Sequence, residues 1–112
     1  MREMTLREVC KAAGVTRRAV QGYEKIGIVK AAGKNKYGYL LYDEVMIERI
    51  RMIRQYQDFG FSVKEIKALL EASDETYLKM MTEQVAFMKE RYQELEKNIE
   101  RAENLINIRL AR

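Results

Sequence analysis

From Leu78 the chain places apolar residues at Leu78, Met81, Val85, Met88, Tyr92, Leu95, Ile99, Ala102 and Ile106, with spacings of three and four in unbroken alternation. That is the a/d seam of a heptad repeat, sustained for about four heptads and flanked by Glu, Lys and Arg. A helix of about 35 residues is roughly 50 Å long. What remains of a 112-residue chain is too small to cover a one-sided stripe of that length. The stripe needs another helix of equal length, most simply the same helix in a second chain. These nine positions are therefore the expected dimerisation surface of a homodimer. The methionines among them read as adaptable seam packing rather than as metal ligands.

The stretch from Thr16 to Tyr42 reads as a short basic helix followed by a tyrosine-rich two-stranded wing. Thr16 can cap the helix by accepting a bond from an orphan amide. Val15 and Val20 have the spacing of a hydrophobic staple. Val20, Tyr23 and Ala19 form an apolar face, leaving Arg17, Arg18, Gln21 and Lys25 outward. Gly27 can stop the helix in the left-handed conformation. Gly22 in mid-helix costs about 1 kcal/mol against alanine, so packing or the close approach of a backbone or duplex should account for it. Beyond a basic loop, Gly33, Asn35 and Gly38 are turn residues. Ile28-Val29 and Tyr39-Leu40-Leu41-Tyr42 are short strand candidates. The tyrosines can simply cover the helices. Some of Tyr37, Tyr39 and Tyr42 can instead direct hydroxyls to phosphates, alongside Lys34 and Lys36.

Ahead of this stretch, Thr5 and Glu8 have capping-box spacing, and Met4 and Val9 have staple spacing. Leu6, Val9, Cys10 and Ala13 make the apolar stripe of a first helix that Gly14 ends. Two short helices joined by a glycine-containing turn match the helix-turn-helix pattern, which plain helical hairpins share. Asp43 caps a third helix running through Ile47, Ile50 and Ile53 to Phe59, and Gly60 ends it. Ser62 and Glu65 open a fourth that ends near Ala72 to Asp74. The fold class expected is mainly α: a winged helix-turn-helix DNA-binding domain over residues 1–73, then a coiled-coil dimerisation helix over 74–112 with no separate effector domain.

Charge narrows the partner. Residues 1–42 hold nine Lys/Arg against three Asp/Glu, a net of +6, while the two later thirds are each close to neutral. A positive field confined to the first third suggests a polyanion, double-stranded DNA above all. Chemistry is sparse by comparison. The chain has no histidine and one cysteine, Cys10, on a predicted buried face. Neither a metal site within one chain nor a phosphate-cradling glycine loop can be assembled, and the carboxylates sit on helix surfaces beside Lys or Arg. No enzyme activity, metal or cofactor is expected. No apolar run approaches membrane-spanning length, and the single cysteine suits a reducing compartment, so a cytoplasmic location without membrane contact is expected.

With Val15-Thr16-Arg17-Arg18-Ala19-Val20-Gln21-Gly22-Tyr23-Glu24-Lys25-Ile26-Gly27, then Gly38-Tyr39-Leu40-Leu41-Tyr42, then Phe59-Gly60-Phe61-Ser62-Val63-Lys64-Glu65-Ile66, the chain resembles the MerR family of bacterial transcription regulators. The match runs from about Thr5 to Leu70, and the long helix fits the family's plan. The resemblance implies an antiparallel coiled-coil dimer, binding to a pseudo-palindromic promoter with a long spacer, activation by distorting that DNA, and RNA polymerase as a partner at the promoter. It gives Arg18 the role of a recognition-helix base or backbone contact, Tyr23 that of a backbone-contacting aromatic, and Tyr39 that of the wing tyrosine. Gln21-Gly22 and Leu40 depart from the family's arginine-aromatic pair and wing arginine, which removes expected contacts. The paired cysteines of the family's metal or iron–sulfur sensors are also lacking. Three other readings stay open: a coiled-coil adaptor with a degenerate DNA-binding head, a DNA architectural or recombination factor of the same fold, and a sensor built on Cys10 or an interfacial pocket.

Overall fold

Every helix starts at a side chain that takes one of its own orphan amides. The computed structural model describes residues 3–112, so residues 1 and 2 lie outside the description. Helix α1 (Leu6–Ala13) opens with the expected capping box: the Thr5 hydroxyl accepts from the Glu8 amide at 3.3 Å, and the Glu8 carboxylate accepts from the Thr5 amide at 3.0 Å. Helix α2 (Arg17–Ile26) is capped by Thr16, whose Oγ1 accepts from the Ala19 amide at 3.0 Å. Asp43 caps α3 (Glu44–Asp58) through the Met46 amide, and Ser62 with Glu65 forms a second capping box on α4 (Val63–Glu71). Ser73 caps α5 (Asp74–Leu110) through the Thr76 amide. Gly14 and Gly27 end α1 and α2 at φ values of 67° and 87°, where a side chain would be strained.

The Glu65 cap has a consequence for acid stability. Hydrogen bonds from the Ser62 backbone and then its hydroxyl hold the Glu65 carboxyl below the ordinary glutamate range. A depressed folded pKa adds stability that is complete above the unfolded value and is lost as pH falls through the folded one. Glu65→Gln, which keeps the reach but not the titration, should therefore flatten the acid limb of thermal stability below about pH 4. Matching acid profiles for the two proteins would remove Glu65 from the capping account.

The sheet is small and three-stranded. Strands β1 (Met4–Thr5), β3 (Leu40–Tyr42) and β2 (Gly33–Lys34) lie in the order β1-β3-β2, all antiparallel. Met4 pairs with Tyr42 and Thr5 with Leu41 on one side; Gly33 pairs with Leu41 and Lys34 with Leu40 on the other. This corrects two expectations. Ile28 and Val29 are not a strand: the turn at Gly27 folds them back, and the Ile28 amide donates to the Tyr23 carbonyl. Its carbonyl accepts from Arg49, so both backbone groups of Ile28 are committed elsewhere, and the two side chains join the core instead. The third strand, at Met4–Thr5, is too short for periodicity to reveal, and its threonine doubles as a helix cap.

The chain divides into two compact units, one ending at Ala72 and one spanning Ser73–Arg112. The first unit holds the buried core: Val9 from α1, Val20 and Tyr23 from α2, Ile47, Ile50 and Ile53 from α3, and Ile66 and Leu69 from α4. The second is one uninterrupted helix of 37 residues with no buried side chain among those described. No helix among the described residues is long and apolar enough to cross a membrane.

Candidate nucleic-acid interface

On α2 the residues divide by face. Val20 and Tyr23 point into the core, while Arg17, Arg18, Gln21, Gly22 and Lys25 are exposed. Arg18, Gly22 and Lys25 follow one another at intervals of four and three, so they share one strip of the helix surface. The first turn of α2 contains no acidic residue and begins with Arg17 and Arg18. Cations at that end oppose the helix dipole, so their placement is unfavourable for the isolated helix. An external anion would reverse that balance.

The wing is held by one side chain. The Asn35 carbonyl oxygen accepts from the Tyr37 amide at 2.9 Å and from the Tyr39 amide at 3.0 Å. The backbone closes the same turn, with Asn35 N donating to Tyr39 O and Gly38 N to Asn35 O, and Gly38 at φ 83°. Locked in this way, the tip presents Tyr37 and Tyr39 at 71% and 63% exposure. Their rings are 6.4 Å apart, and the Lys36 ammonium lies 5.1 Å from the Tyr37 ring centroid. Lys34, in β2, is also exposed. Two aromatic rings and a cation at a rigid turn can contact phosphate and sugar together. Asn35 was legible only as a turn residue. Its role as the wing's anchor could have been read from the asparagine's capacity to bond amides further along the turn.

Two tyrosines are buried and hydrogen-bonded inside the first unit. Tyr23 is 1% exposed, and its hydroxyl donates to Gln57 Oε1 at 2.6 Å. Burial pushes its pKa up, against a smaller lowering by Arg54. Its ring is a core element, and its hydroxyl hydrogen is held by Gln57. Tyr42 is likewise fully buried, and its hydroxyl donates to the Glu24 carboxylate. Burial first, and that hydrogen bond second, raise its pKa. Neither Gln57 nor Glu24 was singled out from the sequence, because no local pattern announces a partner 34 or 18 residues away.

Thr16 is exposed, with its hydroxyl oxygen engaged in the cap. At Gly22, an added Cβ would meet nothing within 4 Å, so packing inside the chain does not require a glycine there. Gly22→Ala should raise the stability of the first unit by about 1 kcal/mol, measured by denaturant unfolding. A loss of stability would mean that the local backbone cannot accept the helix-favouring residue. Cys10 is half-buried, and burial raises its thiol pKa against a smaller lowering by Arg17. Thiol labelling near neutral pH should therefore be slower than for an exposed cysteine; labelling at the free-thiol rate would contradict this.

The dimerisation candidates form the expected stripe on α5. Leu78, Val85, Tyr92, Leu95, Ile99 and Ile106 are large exposed apolar residues, Ala102 is exposed, and Met81 and Met88 are half-buried. Among the described residues no group of three or more His, Cys, Asp or Glu could hold a metal ion. With one cysteine and no histidine, the donor set does not fit a soft-metal site within one chain.

The family described as "MerR HTH family regulatory protein" matches residues 4–73, and the one described as "MerR, DNA binding" matches residues 47–107. A "Probable heavy metal-dependent transcriptional regulator" of Haemophilus influenzae is 29% identical over 107 residues, covering 90% of this chain and 84% of that protein. The "HTH-type transcriptional regulator HmrR" of Sinorhizobium medicae is 36% identical over 67 residues, covering 60% of this chain and 46% of that protein. The chain thus spans most of the first relative and under half of the second. Among solved structures, the N-terminus of the Bacillus subtilis multidrug transporter activator MtaN superposes with a TM-score of 0.64 at 25% identity, covering 88% of this chain and 96% of that one. HiNmlR, a regulator lacking the sensor domain and bound to promoter DNA, superposes with a TM-score of 0.73 at 18% identity, covering 88% and 80%.

Proposed function

Since this chain belongs to the MerR family of helix-turn-helix regulatory proteins, we propose that it is a DNA-binding transcription regulator acting as a homodimer on a two-fold symmetric promoter site. The observation that carries this reading is the pairing, within one compact unit, of a cationic exposed face on α2 with a rigid wing tip bearing Lys36, Tyr37 and Tyr39. A helix inserts into the major groove and a flanking hairpin follows the backbone. Thr16, Arg17, Arg18, Gln21 and Lys25 would face the groove, and Lys34, Lys36, Tyr37 and Tyr39 the neighbouring backbone.

Two such heads need a spacer, and the apolar stripe of α5 supports an antiparallel coiled coil as that spacer. Protein symmetry would then appear as symmetry of the site. Distorting the DNA between the half-sites would bring the promoter into a shape that RNA polymerase can use, at a deformation cost of several kcal/mol (about 1–6) offset by the added contacts. The metal dependence in the name of the Haemophilus influenzae relative belongs to that protein, and the described residues of one chain do not supply a donor cluster for it.

Arg18 tests the reading most simply. Arg18→Ala should weaken specific binding by about 1–3 kcal/mol and relax discrimination at one base position, measured by fluorescence anisotropy on a selected duplex. Unchanged affinity and unchanged discrimination would take Arg18 out of the groove.

A further inference from the structure

One concave site in the first unit is lined by two arginines, and only one of them belongs to the interface described above. It is a cleft of about 410 Å³ bounded by Thr5, Leu6 and Arg7 at the start of α1, Arg17 at the start of α2, and Gly38, Tyr39 and Leu40 of the wing. Three segments distant in sequence thus meet around one cavity. Arg7 and Arg17 are both exposed, and among the described residues neither forms an ion pair. No carboxylate is among the residues lining the cleft, so an anion seated there would meet two cations and no opposing charge. Arg7 is the second residue of α1, where a cation opposes the helix dipole. Among the described residues no carboxylate forms an ion pair with Arg7. Tyr39 lines the same cleft, with its side chain largely exposed beside the turn that Asn35 locks.

We propose that this cleft seats a phosphodiester of the bound DNA, with Arg7 as a backbone contact that bridges the recognition helix to the wing. The proposal rests on the DNA-binding reading and extends it to a residue outside α2 and the wing. Two arginines at one cleft can hold a phosphate through charge-assisted hydrogen bonds, and a phenol can donate to the same oxygens. Leu6 and Leu40, both half-buried, give the cleft an apolar side suited to deoxyribose rather than to a fully hydrated free anion. A contact of this kind carries no base preference. It fixes how deeply α2 enters the groove and adds affinity on any duplex.

Salt dependence separates this role from others. Each phosphate contact steepens the fall of log K with log salt by about 0.9. Arg7→Ala should weaken binding by a similar factor on a selected site and on an unrelated duplex, and should lower the slope by about one. Between about 50 and about 200 mM salt, the affinity gap between wild type and variant should therefore narrow by about threefold. Arg7→Lys, which keeps the charge, should retain most of the slope. Lys79→Ala, on α5, serves as the charge control and should leave the slope alone. Circular dichroism and thermal denaturation of Arg7→Ala should show an intact fold of equal or higher stability.

If wild type binds DNA with a steep salt dependence and Arg7→Ala leaves affinity and slope unchanged, the cleft proposal fails while the regulator reading stands. A variant that changes sequence preference without changing the slope would place Arg7 against a base and overturn the proposal equally. Competition of binding by a few millimolar inorganic phosphate in wild type, absent in Arg7→Ala, would assign the cleft to a free anion instead. Wild type that binds no duplex at all overturns both readings together.

Discussion

Replacing Leu95 and Ile99 together by aspartate should leave the first unit folded, turn the proposed dimer into monomers and lower DNA affinity by about a hundredfold to ten-thousandfold, the factor that tethering a second half-site contributes. The magnitude follows from the apolar stripe exposed along α5. Its 37 residues bury no side chain, and Leu95 is 58% exposed and Ile99 50%. Helices are stabilised in water mainly by packing an apolar face, and this face has no cover within its own unit. Two carboxylates at adjacent seam positions would be desolvated against their counterparts in a second copy, which association cannot tolerate. Sedimentation equilibrium reads the assembly, and anisotropy reads the binding. A double variant that stays dimeric would move the interface off the seam. A monomer with undiminished affinity would separate dimerisation from DNA recognition.

Tyr23→Ala should destabilise the first unit by about 3–5 kcal/mol, the usual cost of deleting a buried aromatic. A unit of about 70 residues has only about 4–10 kcal/mol in total, so the substitution would remove a third or more of its stability. The ring is 1% exposed in the core, next to Val20 on the inner face of α2. Tyr23→Phe is the discriminating partner. It removes only the hydroxyl that donates to Gln57, at an expected cost of about 1 kcal/mol, and should leave DNA affinity within about twofold of wild type. Denaturant unfolding and anisotropy on the same preparations check both. Tyr23→Phe with full stability but weakened binding would restore the tyrosine as a backbone contact.

Tyr23 also shows where the sequence stops being legible. Its place on the apolar face of α2 was readable from helical spacing, and so was the face opposite. Its hydroxyl's partner was not, because Gln57 comes from α3 and only packing brings the two together. The same limit explains Tyr42 and Glu24, and the commitment of Ile28 to Arg49 instead of to a strand. Local chemistry was legible in detail: Thr5 with Glu8, Thr16, Asp43, and Ser62 with Glu65 all cap the helices they precede, because capping is decided within four residues. The wing's tyrosines were visible as residues, but the fixity of its tip comes from Asn35, whose side chain could have pointed anywhere in an unstructured loop. Arg7 was hidden in a different way. In sequence it is one more charge on a helix, and only the fold brings it to one cleft with Arg17 and Tyr39.

The central claim is sequence-selective binding of duplex DNA by a two-fold symmetric dimer. Its most direct test is selection of bound duplexes from a random pool at near-physiological salt, followed by sequencing. The account predicts an inverted repeat whose half-sites are separated by a fixed, long spacer. A pool left unenriched by protein shown to be folded and dimeric would contradict it, and would make the missing contacts at Gln21, Gly22 and Leu40 the marks of a head that no longer reads DNA.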